Sequence, residues 1–312
     1  MRRSIKADYG EWREATQESG FEMKLEVDKP FSRSRAVTDA EENQSSRPRF
    51  LEPMSRKQLP GLLSRAKGCN LRQMLARHEI TPRHRAAMMD WMVEVLAVFE
   101  QPESALFRAS WILDSFLARS KKRETLESLH LAGATAMFLA SKFEAVRQIP
   151  SAHFETKICK GRFSRETLLA KELEIFGALD FSLACPTPYE LIRTVVSLLD
   201  FSEDSQAAFV EHSALLIAKM CLFSADLINE VSLLEISAIS IKLGIRMLMS
   251  ADKSFDSEGF EDEVLLLFSV NSKPSLFEQK VAVVHKLVND FESIFPFAIN
   301  LKKFGGQKKP QN

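Results

Sequence analysis

No two of the four cysteines (Cys69, Cys159, Cys185, Cys221) lie close together, so neither a zinc ribbon nor a C-x-x-C redox pair can be drawn. Scattered singly, they read as reduced, buried thiols of a cytosolic or nuclear protein. Excess charge is also missing. The 42 Lys+Arg balance 42 Asp+Glu, which argues against a chain whose main business is coating nucleic acid or an anionic membrane, because both need surplus positive charge. A protein partner remains open. No apolar run reaches the roughly 18 residues a membrane span requires. The start, Met1 to Tyr9, carries charge but no apolar h-region, so a secretory leader is not expected. H-E-x-x-H, G-x-x-x-x-G-K-S/T, G-x-G-x-x-G and G-x-S-x-G are all absent, and the six histidines make no ligand spacing on a helix. No metal or cofactor is expected, and a binding module is favoured over an enzyme.

What is present is helical periodicity. The 312 residues suffice for two domains, and a hydrophobic fraction of 45% allows a sizeable core. Residues 1–53 mix charges, Ser, Gln and Asn with few regularly spaced apolar positions, and read as a disordered regulatory arm. Arg56-Lys-Gln-Leu59 has the R-x-x-L form of a destruction box, a pattern short enough to arise by chance. Asn70 can cap a short helix from Leu71 to His78, and Thr81-Pro82 opens a longer one carrying Met88, Trp91, Met92, Val95, Leu96 and Phe99 at helical spacing. A further helix is expected from Ser104 to Ala118. The next, from Leu126 to about Phe143, is apolar or small on every side, as suits a central rod packed among others. Helices near Ser151–Lys157 and Arg165–Leu179 follow.

Cys185-Pro-Thr-Pro188 breaks the pattern and marks a domain boundary. Beyond it, apolar-periodic stretches run at about Tyr189–Asp200, Ser205–Ala225, Asn229–Met249, Glu261–Val270 and Ser275–Ile294. Strand signals are nearly absent. The expectation is an all-α fold of two five-helix units, residues 54–185 and 186–296, with a flexible tail over 297–312. Two pairs of charges stand out among the apolar residues. Arg85 and Asp114 are natural partners if both are buried, since an unpaired buried charge is costly, although two separate solvated charges would fit as well. Lys142 and Glu172 read equally as solvated surface charges.

Arg85-Ala-Ala-Met-Met-Asp-Trp-Met-Val-Glu-Val95 resembles the opening of the cyclin box, M-R-A-I-L-x-D-W-L-x-E-V. Ile112-Leu-Asp-Ser-Phe-Leu117 is similar to the Y-I-D-R-F-L of that family, with Ser115 in place of its arginine. Leu129 to Glu144 resembles L-Q-L-x-G-x-x-x-M-x-x-A-S-K-F-E-E, and Glu172 to Phe181 resembles E-x-x-I-L-x-x-L-x-F, followed by a P-T linker at Pro186-Thr-Pro188. These motifs span about one third of the chain in the family's order; the second half is similar in layout only. The resemblance combines A/B-like features, notably A-S-K-F-E, with some D-like ones.

The resemblance implies a regulatory subunit that forms a heterodimer with a cyclin-dependent Ser/Thr kinase and pushes its αC helix into the active position. It places Lys142, Phe143 and Glu172 at the kinase contact. It also implies a docking patch for R-x-L substrates or inhibitors, mapping to His84, Ala87, Met88, Trp91, Glu94, Leu129 and His130. There His84, Ala87 and His130 replace the family's methionine, isoleucine and glutamine, so a shallower, more polar groove is expected, with the Trp91 indole edge at the surface. Arg85 and Asp114 become a structural ion pair. Nuclear and cytoplasmic residence follows from the family alone. The rival readings are a transcriptional cyclin and a cyclin-fold transcription adaptor; the latter would call for the cysteine pair that is missing.

Overall fold

The computed structural model describes residues 56–69, 71–269 and 274–304. The expected arm over 1–53 and the Asn70 cap lie outside them. Among the described residues the fold is all-α, without strands. The first unit comprises α1 (Leu59–Lys67), α2 (Pro82–Val98), α3 (Glu103–Arg119), α4 (Leu126–Glu144), α5 (Ser151–His153), which runs on as a wider π turn over Phe154–Ile158, and α6 (Arg165–Ala178). The second comprises α7 (Pro188–Val196), α8 (Asp204–Cys221), α9 (Ala225–Glu230), α10 (Leu233–Ala251), α11 (Phe260–Leu267), α12 (Pro274–Asn289), α13 (Phe291–Ile294) and α14 (Ile299–Phe304).

Hydroxyl caps set the helix starts. The Thr81 hydroxyl accepts from the His84 N–H at 3.2 Å ahead of Pro82, and Ser232 with Glu235 closes a reciprocal box at the start of α10. The α4 rod is packed along α3 and α6, and its inner residues from Ala132 to Ser141 are all buried. Gly133 leaves room for the Met88 thioether of α2: a Cβ there would come within 2.4 Å of Met88 Sδ, and that flexible side chain would have to shift. In the second unit α10 holds the same central place, packed on α7, α8, α11 and α12. Gly244 lets it approach the Val210 carbonyl of α8.

Four expectations from the sequence are corrected. The helix read over Leu71–His78 is instead a run of tight turns. Gln73 takes a φ of 52°, the Met74 N–H donates to Asn229 Oδ1 at 3.4 Å, and the His78 ring bridges the Leu117 carbonyl and the Glu124 N–H. So short a helix is costly to nucleate, and tertiary partners take its polar groups instead. The stretch from 222 to 232 contains the extra helix α9, capped by the Ser224 hydroxyl, so α10 begins at Leu233 rather than near Asn229. The expected tail also begins with structure: α14 packs along α2 with Ala298 and Leu301 buried, and residues 305–312 lie outside the described residues. Finally, Cys69 and Cys185 are joined as a disulfide with Cα atoms 6.2 Å apart, whereas Cys159 and Cys221 are free and buried. The bonded pair lies 116 residues apart, a separation at which only the fold can bring them together.

Candidate functional site

Arg85, at the start of α2, is fully buried. Its Nε and Nη2 donate to the two Asp114 oxygens at 2.7 and 2.5 Å, a bidentate fork, and its Nη1 donates to the Leu222 carbonyl at 2.6 Å. The carbonyl belongs to the second unit, so this pair also ties the two units together. Arg56 of the R-x-x-L pattern bonds Glu263, and Leu59 is buried in α1.

Lys142, in the last turn of α4, donates its ammonium to Glu172 of α6 and lies over the Phe138 ring, 4.3 Å from its centroid. The lysine side chain is 32% exposed and the glutamate 11%, so the pair is presented at the surface yet largely shielded. Apolar side chains left in solvent surround it in sequence. Phe143 and Val146 follow Lys142, while Leu169 lies about one turn before Glu172 on α6 and Leu173 directly after it, and all four are exposed. Exposed apolar side chains close in sequence to a partly desolvated ion pair have the composition of a protein-protein contact, apolar residues with few but well-placed charges.

Sequence reasoning missed Arg108. Lying in the middle of α3 between Phe107 and Ala109, it is 1% exposed and bonds Glu144, Glu190 and two backbone carbonyls of the linker between the units. The flanking apolar residues hid it. The only available signal was Glu144, a carboxylate at a helix C-terminus where the dipole disfavours it.

The residues mapped to a peptide-docking patch do gather around α2 and α4, but mostly inside the protein. Ala87, Met88, Trp91, Leu129 and His130 are buried. Met88 faces Gly133 in the α2–α4 seam. Trp91, 2% exposed, packs on His130 with ring centroids 4.7 Å apart, and His130 packs on Phe163 at 5.3 Å. The indole edge expected at the surface is therefore covered. Burial, with Arg162 nearby, drives the His130 pKa down to about 3. His84 contributes to the helix cap, its Nδ1 accepting from the Thr81 N–H. Glu94 is half-buried, its carboxyl held above the usual range by burial and opposed by the charges of Lys303 and Lys160. Beside this patch, Asp90 accepts from the N–H groups of Asn300 and Leu301 at 3.0 and 3.2 Å and from Asn300 Nδ2 at 3.0 Å, anchoring α14. Burial nevertheless raises the Asp90 pKa to about 6.

A polar cavity of about 230 Å³ opens among Leu71, Arg72, Asn229 and Lys280, the last paired to Glu235 at 2.6 Å. Among the described residues no group of His, Cys, Asp and Glu could hold a metal ion, and no helix is long and apolar enough to cross a membrane.

Two stacked helical units, each built round a buried rod, define a cyclin-type fold. A viral cyclin of herpesvirus saimiri has the same architecture, with a TM-score of 0.63 and 19% identity over 76% of this chain and 99% of that one. Residues 63–184 match the family described as "Cyclin, N-terminal domain", and this match, with the B-type cyclins among the relatives, supports a cyclin box of the cell-cycle type. Its relatives include the G2/mitotic-specific cyclin-B1 of Caenorhabditis elegans, 35% identical over 127 residues (41% of this chain, 34% of the relative). Cyclin-B1-1 of Oryza sativa subsp. japonica is 27% identical over 215 residues, 67% of this chain and 47% of that protein. The matched regions thus span between a third and a half of these two relatives.

Proposed function

We propose that this chain is the regulatory subunit of a cyclin-dependent Ser/Thr kinase, performs no phosphoryl transfer itself, and works in cell-cycle control in the nucleus and cytoplasm. The observation that carries the reading is the Lys142–Glu172 pair, set across α4 and α6 among exposed Phe143, Val146, Leu169 and Leu173. The kinship with mitotic B-type cyclins supports it. Docking there would bias the kinase towards the state in which its own Lys–Glu pair is formed and its activation loop is open. Truncating one member of a charge pair buried at such a contact costs about 2–5 kcal/mol. Lys142→Ala and Glu172→Ala should therefore weaken kinase binding and abolish activation while helical content, read by circular dichroism, stays unchanged. Full activation by both variants in a reconstituted kinase assay would refute the assignment.

Recruitment of R-x-L substrates or inhibitors would fall to the α2 face, where Glu94 and His84 reach solvent. With Trp91 covered, we expect this to be the weaker activity. Fluorescence anisotropy with a labelled R-x-L peptide measures it, and tight binding by the unmodified chain would contradict the expectation.

A further inference from the structure

We propose that Arg108 is the positioning residue of the contact face, setting Phe143 and Glu144 and through them the end of α4 that carries Lys142; the inference rests on reading that face as a kinase contact. Each part of the guanidinium has a partner. Nε donates to Glu144 Oε1 at 2.7 Å, Nη1 to the Leu183 carbonyl at 2.9 Å and to the Cys185 carbonyl, and Nη2 to Glu190 Oε1 at 3.3 Å. The Phe143 ring lies over the guanidinium, 4.8 Å from ring centroid to Cζ.

Three elements therefore meet on one buried cation. Glu144 is the last residue of α4. Leu183 and Cys185 belong to the linker between the units. Glu190 is the N3 residue of α7, and its other oxygen accepts from the Thr187 N–H. A carboxylate at a helix C-terminus is repelled by the carbonyl end of the dipole, so α4 would tend to fray at Glu144 without a cation there. Fraying would release Lys142 and Phe143 just before it. Phe143 is 51% exposed and lacks the packing that ordinarily fixes a rotamer; the guanidinium plane beneath it supplies one side of that packing. A contact side chain already held in one rotamer loses less entropy on binding. Arginine rather than lysine is needed, because only a planar fork can reach a carboxylate and two carbonyls in different directions.

The test is a double-mutant cycle on the full chain, with affinity for a recombinant cyclin-dependent Ser/Thr kinase read by calorimetry. Phe143→Leu should weaken binding by about tenfold in the wild-type background but by no more than about threefold alongside Arg108→Met, since the ring is no longer held there. Arg108→Lys should be intermediate. Circular dichroism and melting check that the variants fold, and Arg108→Lys replaces Arg108→Met in the cycle should the latter not fold. A purely structural arginine would give additive losses, and additivity overturns the proposal. Lys142→Ala is measured in parallel: if it and Phe143→Leu both bind like wild type, the kinase reading of the face falls and takes the proposal with it, whereas additive losses remove the proposal alone.

Discussion

Replacing His130 by glutamine should remove an acid sensitivity built into the first unit. The imidazole is packed against Trp91 and Phe163, and its pKa falls to about 3 from an ordinary 6.5, through burial first and Arg162 second. Only the charged form is penalised. The folded protein therefore binds fewer protons at this site than the unfolded chain between these two values. Stability is fully present above pH 6.5 and is lost as pH falls towards 3. At pH 5 the loss is about 2 kcal/mol, from one and a half pH units at roughly 1.4 kcal/mol each. Glutamine has similar bulk and no charge to acquire. Asp90, with its pKa raised to about 6, contributes with the opposite sign as pH falls from 6 towards 3.8, but it does so equally in both proteins. Urea unfolding at pH 7.5 and pH 5.0 should then show wild type losing about 2 kcal/mol more than His130→Gln between the two conditions. Losses equal to within about 0.5 kcal/mol would refute the burial argument.

Arg85→Ala strands Asp114 in the core and removes the tie to Leu222, so it should cost about 3–5 kcal/mol in chemical denaturation; a cost under about 1 kcal/mol would mean the pair is not buried in solution. Asp90→Asn keeps a carbonyl oxygen for the Asn300 and Leu301 amides while removing a carboxylate penalised by burial. It should raise stability at pH 7 by up to about 3 kcal/mol, with the gain vanishing below pH 4, because a raised carboxyl pKa penalises the fold only above its unfolded value; thermal melts at pH 4 and 7 check it. Gly133→Ala meets only the movable Met88 thioether, so helix propensity should offset the crowding. Gly244→Ala meets the Val210 backbone carbonyl at 3.1 Å, which cannot rotate away, and should lower the melting temperature more than Gly133→Ala does.

Much of the fold was legible because its signals are local. Thr81-Pro82, the small-residue rod from Leu131 to Ala140, and the double proline after Cys185 specify helix starts, a buried helix and a boundary through short-range sterics and capping. The same local logic misread Leu71–His78, where the competing partners were Asn229, Leu117 and Glu124, far away in sequence. The site divides along the same line. Lys142, Phe143 and Glu172 are candidates through motif resemblance alone, since spacing by itself reads the two charges as surface residues. Arg108 carried no pattern at all, because its acceptors come from α4, the linker and α7. Analogy puts the Trp91 indole edge at the surface, whereas in the fold Trp91 is 2% exposed and packs on His130. By itself the sequence determined the all-α class, the long helices and their order, and the resemblance to the cyclin box, because periodicity, caps and prolines act over a few residues. Only the tertiary structure decided which charges are buried, which aromatic rings are covered and which thiols meet, because those depend on side chains that the chain separates by tens of residues and packing brings together.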